Sequence, residues 1–181
     1  MPAIRHLLIL GLLAAGTGAS AQNANFGPGP VFRDFGLIAM VPGASRPGPD
    51  SRFSIAFDIS ERAEPGKINR GINSAARFIN MAVASGVKPE NIRLALVVHG
   101  PASNDLLNPA AHAARHKGAA NGSADAITQL LKHNVRVILC GQSLAAHEFD
   151  PNELLPGVEL SLSAMTAHAQ LQQQGYTLNP F

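Results

Sequence analysis

Hydrophobic residues along the chain follow strand-like patterns in four places. Residues 52–60 (RFSIAFDIS) alternate between apolar and polar positions, whereas residues 92–98 (IRLALVV) and 135–140 (VRVILC) are nearly continuous apolar runs. Alternation is typical of a half-buried strand, and short continuous runs are typical of strands covered on both faces. The pattern therefore predicts three strands in these segments and a fourth, shorter strand over residues 158–162.

The segments between these strands show helical periodicity. Apolar residues recur every three or four positions over residues 66–85 and 123–134, which places them on one face of a helix. A last helix is predicted over residues 163–174, where Gly175 ends it. Strands that alternate with helices predict right-handed βαβ crossovers and a mostly parallel sheet.

Three further segments have weaker patterns. A short helix is expected to begin at Asp150, because a proline follows directly and a glutamate lies three residues after the cap. Residues 103–122 are expected to form a partly helical surface excursion, since they combine alanines with several glycines and an Asn-Pro pair. Residues 176–181 are expected to form an ordered apolar tail.

The N-terminus has the features of an export signal. Arg5 precedes an apolar run of ten residues, 7–16, and the small residues Ala-Ser-Ala at 19–21 suit signal peptidase. The run is too short to cross a bilayer, which takes about 20 apolar residues. We therefore predict a signal peptide over residues 1–21, cleaved after Ala21, and a periplasmic or secreted protein without membrane attachment after cleavage. An uncleaved anchor is the alternative.

Glycine and proline dominate residues 22–51, which begin the predicted mature chain. Their spacing breaks helices and favours extended or turn conformations. We expect this segment to be an arm that wraps the domain, with a freely mobile tail as the alternative. Residues 52–181 then form a single α/β domain.

Composition narrows the classes of partner. The 14 basic residues against 12 acidic ones leave a net charge of only +2, so no nucleic-acid partner is expected. The chain contains a single cysteine, Cys140. An exported protein with one cysteine cannot form an internal disulfide, so this thiol is either buried and inert, paired with another molecule, or used chemically.

The polar residues at the strand ends are the candidate site. Ligands of open parallel sheets bind beyond the carboxyl ends of the strands. Cys140 ends the third predicted strand and is the candidate nucleophile, and His99 ends the second and is its candidate acid or base. The alternative is that Cys140 is a small core residue and that His99 only fixes a turn. Candidate binding residues at the same edge are Asp58, Gly100, Gly141, Gln142, Ser143 and Ser163.

No metal or cofactor is expected. His112 and His116 are four residues apart and would share a helix face, but no third ligand lies at a recognisable spacing, so a solvated face is favoured. The chain also lacks a phosphate-binding loop, a dinucleotide-binding glycine motif and the serine-hydrolase motif.

Several segments together resemble the DsrE/DsrF-like family of sulfur-oxidation and sulfur-relay proteins, in its exported branch. The resemblance rests on LALVVHGPA at 94–102, ILCGQSL at 138–144, residues 154–176 and the helix RGINSAARFINM at 70–81. It implies an α/β three-layer sandwich with a central, mostly parallel sheet of four to five strands, often assembled into homo-oligomers. Sulfur-relay members carry a persulfide on a cysteine after the third strand, and Cys140 matches that position.

Two hypotheses for the function follow from the residues and the resemblance together. In the first, Cys140 carries sulfur as a persulfide, or acts as a redox-active thiol, with a sulfur donor or acceptor protein as partner. In the second, the protein is a non-catalytic module with a structural cysteine, which binds a small ligand or forms oligomers. Residues 170–174 and the tail at 176–181 are then candidates for burial against a second subunit.

Overall fold

The computed structural model describes residues 25–180. The predicted signal peptide and its cleavage point lie outside these residues. Within them, no helix is both long enough and apolar enough to cross a membrane.

The Gly/Pro-rich arm packs on the first helix of the domain. The arm contains a two-stranded antiparallel hairpin of β1 (Phe26–Gly27) and β2 (Ile38–Ala39), and its Phe32 side chain is fully buried. Helix α1 (Arg70–Ala84) holds the arm through the buried side chain of Asn80. The Asn80 carboxamide accepts from two arm N–H groups and donates to two arm carbonyl oxygens, at distances of 2.9–3.0 Å.

A sheet of five parallel strands forms the centre of the domain. Its spatial order is β6, β5, β4, β3, β7, and every neighbouring pair is parallel. The strands are β3 (Phe53–Ile59), β4 (Ile92–Val98), β5 (Arg136–Cys140), β6 (Glu159–Ser161) and β7 (Thr177–Asn179). The predicted α/β fold with a mostly parallel sheet of four to five strands is confirmed.

Helices cover the two faces of this sheet unequally. Besides α1, residues 25–180 form four α-helices, which are α2 (Pro109–Arg115), α3 (Ala124–Lys132), α4 (Gly141–Ala146) and α5 (Ala164–Gln173). The larger core lies between the sheet and helices α1 and α3. On the opposite face, α5 packs on small or branched strand residues, among them Ala56, Ala95 and Ile138. Because Ala56 and Ala95 have short side chains, α5 lies close to this face of the sheet.

The structure departs from the predicted elements in three places. Residues 177–179 form the fifth strand, β7, within the segment expected to be a tail. The residues after Cys140 form the short helix α4, which is not among the helices predicted from periodicity. The helix expected at Asp150 is only a 3₁₀ turn over Pro151–Glu153, although the expected capping box is present.

Candidate functional site

Cys140 and His99 are neighbours at the carboxyl edge of the sheet. Val98 of β4 pairs with Leu139 of β5, and His99 continues the extended backbone of its strand. The next residues in register are therefore His99 and Cys140, with backbones about 4.8 Å apart. Side chains alternate along a strand, so both residues lie on the face that α5 covers.

Polar donors surround the sulfur atom of Cys140. The residue is only 6% exposed, and burial by itself raises the pKa of a thiol. Hydrogen bonds from the Ser143 hydroxyl and from the backbone N–H groups of Ser143, Ala164 and Gln142 outweigh this effect and lower the pKa of the Cys140 thiol. The buried sulfur thus faces groups that stabilise a thiolate, which an inert core cysteine does not need.

Ser143 connects the thiol to the loop after β4. Its Oγ accepts a hydrogen bond of 2.8 Å from the backbone N–H of Gly100, and its hydroxyl donates to Cys140. Gly100 has a φ of +54°, a left-handed conformation that favours glycine. This glycine therefore lets the loop turn its N–H group toward Ser143.

The backbone at Gly141, next to the thiol, lies so close to the end of β6 that a residue with a side chain would not fit there. A Cβ atom at this position would lie 2.7 Å from the carbonyl oxygen of Ser161, which is shorter than real Cβ contacts. The absence of a side chain allows α4 to begin directly beside the end of β6. As a result, the N–H groups of Gln142 and Ser143 lie close enough to the sulfur to donate to it.

Asp58 joins two histidines on the same face of the sheet. Its carboxylate accepts hydrogen bonds from His99 Nε2 at 3.2 Å and from His168 Nε2 at 2.7 Å. Partial burial raises the pKa of Asp58, but the hydrogen bonds and the charges of the two histidines outweigh it, so the net pKa is lowered. Asp58 is therefore an ionised carboxylate that holds the Nε2 proton of both rings.

His168 is the site residue that the sequence analysis missed. It lies on α5, four residues after Ala164, and so about 6 Å further along the same side of the helix. Its Nδ1 is buried and has no hydrogen-bond partner within the described residues. Asp58 and His168 are 110 residues apart in the sequence. A local sequence pattern cannot predict a contact between residues with that separation.

The remaining predicted binding residues position the loops of this edge. Gln142 donates from Nε2 to the carbonyl oxygen of Leu162 at 3.2 Å. Ser163 caps α5, where its hydroxyl accepts from the backbone N–H of Thr166 at 3.1 Å. The structure thus brings all eight predicted site residues to one edge of the sheet, although their chemical roles stay predictions.

His112 of α2 and His116, the residue that ends this helix, were expected on a solvated face. His112 is only 5% exposed, and its Nδ1 donates to the carbonyl oxygen of Ala119 at 2.9 Å. His116 packs against it with the ring centroids 4.4 Å apart. The expectation was wrong for His112, because the chain after α2 folds back over the helix.

Among residues 25–180, no group of three His, Cys, Asp or Glu side chains is arranged to bind a metal ion.

Comparison with solved structures shows the same fold in a protein of low sequence identity. A protein of unknown function from Methanobacterium thermoautotrophicum, MTH1491, is 20% identical, with a TM-score of 0.54 over 71% of this chain and 99% of that chain. The ychN protein from E. coli is 18% identical, with a TM-score of 0.48 over the same shares of the two chains. Among curated proteins, none matches this sequence.

A family model covers most of the described chain. It is the model of the DsrE/DsrF-like family, and it matches residues 54–180. This range includes the parallel sheet except for Phe53, the first residue of β3, and every residue of the site at its carboxyl edge. The chain therefore belongs to the DsrE/DsrF-like family.

Proposed function

We propose that the protein carries sulfane sulfur as a persulfide on Cys140. The observation that supports this most directly is the set of hydrogen-bond donors around the sulfur, which lowers the pKa of the thiol despite its burial. The thiolate is the nucleophilic form of cysteine, so such a setting favours attack on an electrophilic sulfur atom. Membership of a family that includes sulfur-relay proteins is consistent with this role.

The proposed reaction moves one neutral sulfur atom without net oxidation. The Cys140 thiolate attacks the outer sulfur of a donor persulfide, R–S–SH. A new S–S bond forms to Cys140, the S–S bond of the donor breaks, and its electron pair leaves with RS⁻. The proton lost by the Cys140 thiol protonates RS⁻, so the products are a Cys140 persulfide and RSH.

The histidines are suited to move this proton. His99 is the neighbour of Cys140 across the strand register, and Asp58 holds the Nε2 proton of its ring. A histidine oriented by a carboxylate can take up a proton at its other nitrogen and release it to a leaving group. We assign this proton transfer to His99, and His168 shares the same carboxylate.

The test is the intact mass of native protein after treatment with a low-molecular-weight persulfide. The expected product is heavier by about 32 Da, one sulfur atom, and a small thiol added afterwards removes it. Because Cys140 is the only cysteine, Cys140→Ser is a complete negative control. Native protein that never gains sulfur, while the unfolded protein does, would refute the proposal.

The competing function is a non-catalytic binding module with a structural cysteine. The observation in its favour is the 6% exposure of Cys140, since small buried thiols are common in protein cores. This function predicts that a thiol-alkylating reagent modifies Cys140 only after unfolding. Alkylation of the native protein at neutral pH distinguishes the two, because the persulfide carrier must admit a small donor to the sulfur.

The proposed function includes export of the protein from the cytoplasm. We propose that the signal peptide is removed after Ala21 and that the mature protein works outside the cytoplasm, where its sulfur donor or acceptor must also be found. N-terminal sequencing of the protein from a cell envelope fraction tests the cleavage point.

We also propose a homo-oligomer formed through the exposed β6 edge, for which Leu160, Leu162 and Met165 supply apolar surface at 52%, 72% and 79% exposure.

A further inference from the structure

A second concave site lies at the carboxyl edge, formed by the loop after β3, helix α2 and the turn before α3. Its volume is about 240 Å³, room for about eight water molecules. The lining includes four basic side chains and two carboxylates, which are Arg62, Lys67, Arg115, Lys117, Glu64 and Asp105. Loops that follow the carboxyl ends of parallel strands are where ligands of such sheets bind.

Three of the four cations make no direct ion pair within the described residues. Arg115 forms an ion pair with Glu153 at 2.8 Å and lies over the ring of Phe149. By contrast, the side chains of Arg62, Lys67 and Lys117 make no hydrogen bond or ion pair within residues 25–180. Like charges gathered around one concavity repel each other, and an anion bound between them removes that repulsion.

The carboxylate at the base of the pocket does not neutralise these cations by direct contact. The Oδ2 atom of Asp105 is already occupied by the N–H of Ala63 at 2.9 Å and the side-chain amide of Asn69 at 2.6 Å. Burial raises the pKa of Asp105, although the hydrogen bonds from Asn69 and Ala63 and the attraction of Arg62 act in the opposite direction. The other acid, Glu64, is exposed.

Positive charge in the pocket also acts on His116. The pKa of His116 is lowered, first by burial and then by repulsion from Arg62, His112 and Arg115. His116 instead makes a 2.9 Å hydrogen bond between its Nε2 and the Oδ1 atom of Asn104. The pocket therefore has a wall of two hydrogen-bonded histidines and a rim that includes three cations without a direct ion pair.

We propose that this pocket binds a small oxyanion that carries at least two negative charges. Three unpaired cations match such a charge, and the volume admits a compact phosphate or dicarboxylate but not an extended polymer. This site is separate in its residues from Cys140 and the histidines around Asp58. Its role is to bind a ligand, and no covalent step is assigned to it.

The test is a calorimetric titration of the full mature protein with inorganic phosphate and, separately, with succinate, at constant ionic strength. Saturable binding of either anion is the expected result. The anion that binds with the higher affinity shows whether the site takes a phosphate or a dicarboxylate. The double variant Arg62→Gln/Lys117→Gln is expected to bind at least about tenfold more weakly. Cys140→Ser is expected to bind like the wild type, which separates this site from the proposed sulfur chemistry.

Lys88→Gln is the matched control, because Lys88 is an exposed lysine outside the pocket. It removes one positive charge from the molecule and is expected to leave affinity unchanged. Absence of saturable binding with both anions overturns the proposal, as does a double variant that stays folded by circular dichroism and binds like the wild type. Equal weakening in Lys88→Gln would also overturn it, because the binding would then depend on overall charge alone.

Discussion

At the scale of single residues, Ser143 has the most specific effect on the thiol. It accepts from the Gly100 N–H and donates to Cys140, so its hydroxyl orientation is fixed by the loop after β4. A hydrogen bond to a charged group contributes about 1.5–3 kcal/mol. The lowered pKa of Cys140 therefore depends on a side chain that can be removed without emptying the core, since Ser143 is only partly buried.

Ser143→Ala is expected to raise the pKa of the Cys140 thiol, because it removes the hydroxyl that stabilises the thiolate. The pH profile of alkylation moves to higher pH, and the rate at neutral pH falls by about tenfold. Ser85→Ala is the control, since Ser85 hydrogen-bonds only at the end of α1. Identical profiles for Ser143→Ala and wild type would show that the hydroxyl does not act on the sulfur.

Asp58 is expected to stabilise the fold in a pH-dependent way. Its pKa is lowered in the folded protein, so its contribution is present above the ordinary value of 3.8 and is lost as the pH falls through the lower folded value. Asp58→Asn is expected to reduce the free energy of unfolding at neutral pH by about 1 kcal/mol, allowing for solvent screening.

Urea unfolding of Asp58→Asn and wild type, at neutral pH and below pH 3.8, checks this prediction. The difference between the two proteins should shrink in acid. Asp50→Asn, at an exposed position, is the control and should show little difference at either pH. A difference for Asp58→Asn that grows in acid would contradict the assigned direction.

At the scale of elements, the local sequence pattern predicts a strand or helix well only where tertiary contacts do not decide the outcome. β4 was predicted to the residue, because its apolar run has clear ends. β7 has no such run, and only its pairing with β3 makes residues 177–179 a strand. α4 lacks amphipathic periodicity, and the end of β6 positions its start.

Tertiary contacts also limited how much of the candidate site could be predicted from the sequence. Cys140, His99 and Asp58 could be proposed because strand ends in a parallel sheet meet at one edge. His168 could not, because its position depends on how α5 packs across the opposite face of the sheet. The N–H group of Ala164, which also donates to Cys140, belongs to the start of α5, so the sequence around the thiol does not reveal it.

The packing of the arm on the domain is expected to depend on one side chain of α1, that of Asn80. Asn80→Ala removes the four hydrogen bonds to the arm and leaves several buried backbone groups without partners. The free energy of unfolding is expected to fall by about 2–4 kcal/mol. Limited proteolysis should then cleave between residues 28 and 50 faster than in wild type.

Asn152→Ala is the control for this experiment, because Asn152 is exposed and not in contact with the arm. Its stability and its digestion pattern should match those of wild type. An Asn80→Ala protein with wild-type stability and an intact arm would show that the carboxamide is not what holds the arm.

At the scale of the whole molecule, the sheet edge at β6 is the most exposed apolar surface beside the thiol. Cys140 pairs in register with Ser161 of β6, and Leu162 follows directly with 72% exposure. An open strand edge with apolar side chains is a common site of association between chains. A partner chain on this edge would lie next to the sulfur.

Leu162→Asp combined with Met165→Asp is expected to convert an oligomer into a monomer. The two carboxylates place charge in a surface that association would bury, without disturbing the core, because both side chains are exposed. Light scattering after size-exclusion chromatography measures the change. A wild type that is monomeric at every concentration would exclude the proposed assembly.

The central claim is that hydrogen-bond donors at the edge of the sheet lower the pKa of a buried thiol. The most direct measurement is a pH titration of the native protein, following the ultraviolet absorbance of the Cys140 thiolate, with Cys140→Ser as the blank. The account predicts a midpoint below the ordinary thiol value of 9.0. A midpoint above that value would mean that burial outweighs the donors, and it would contradict the account.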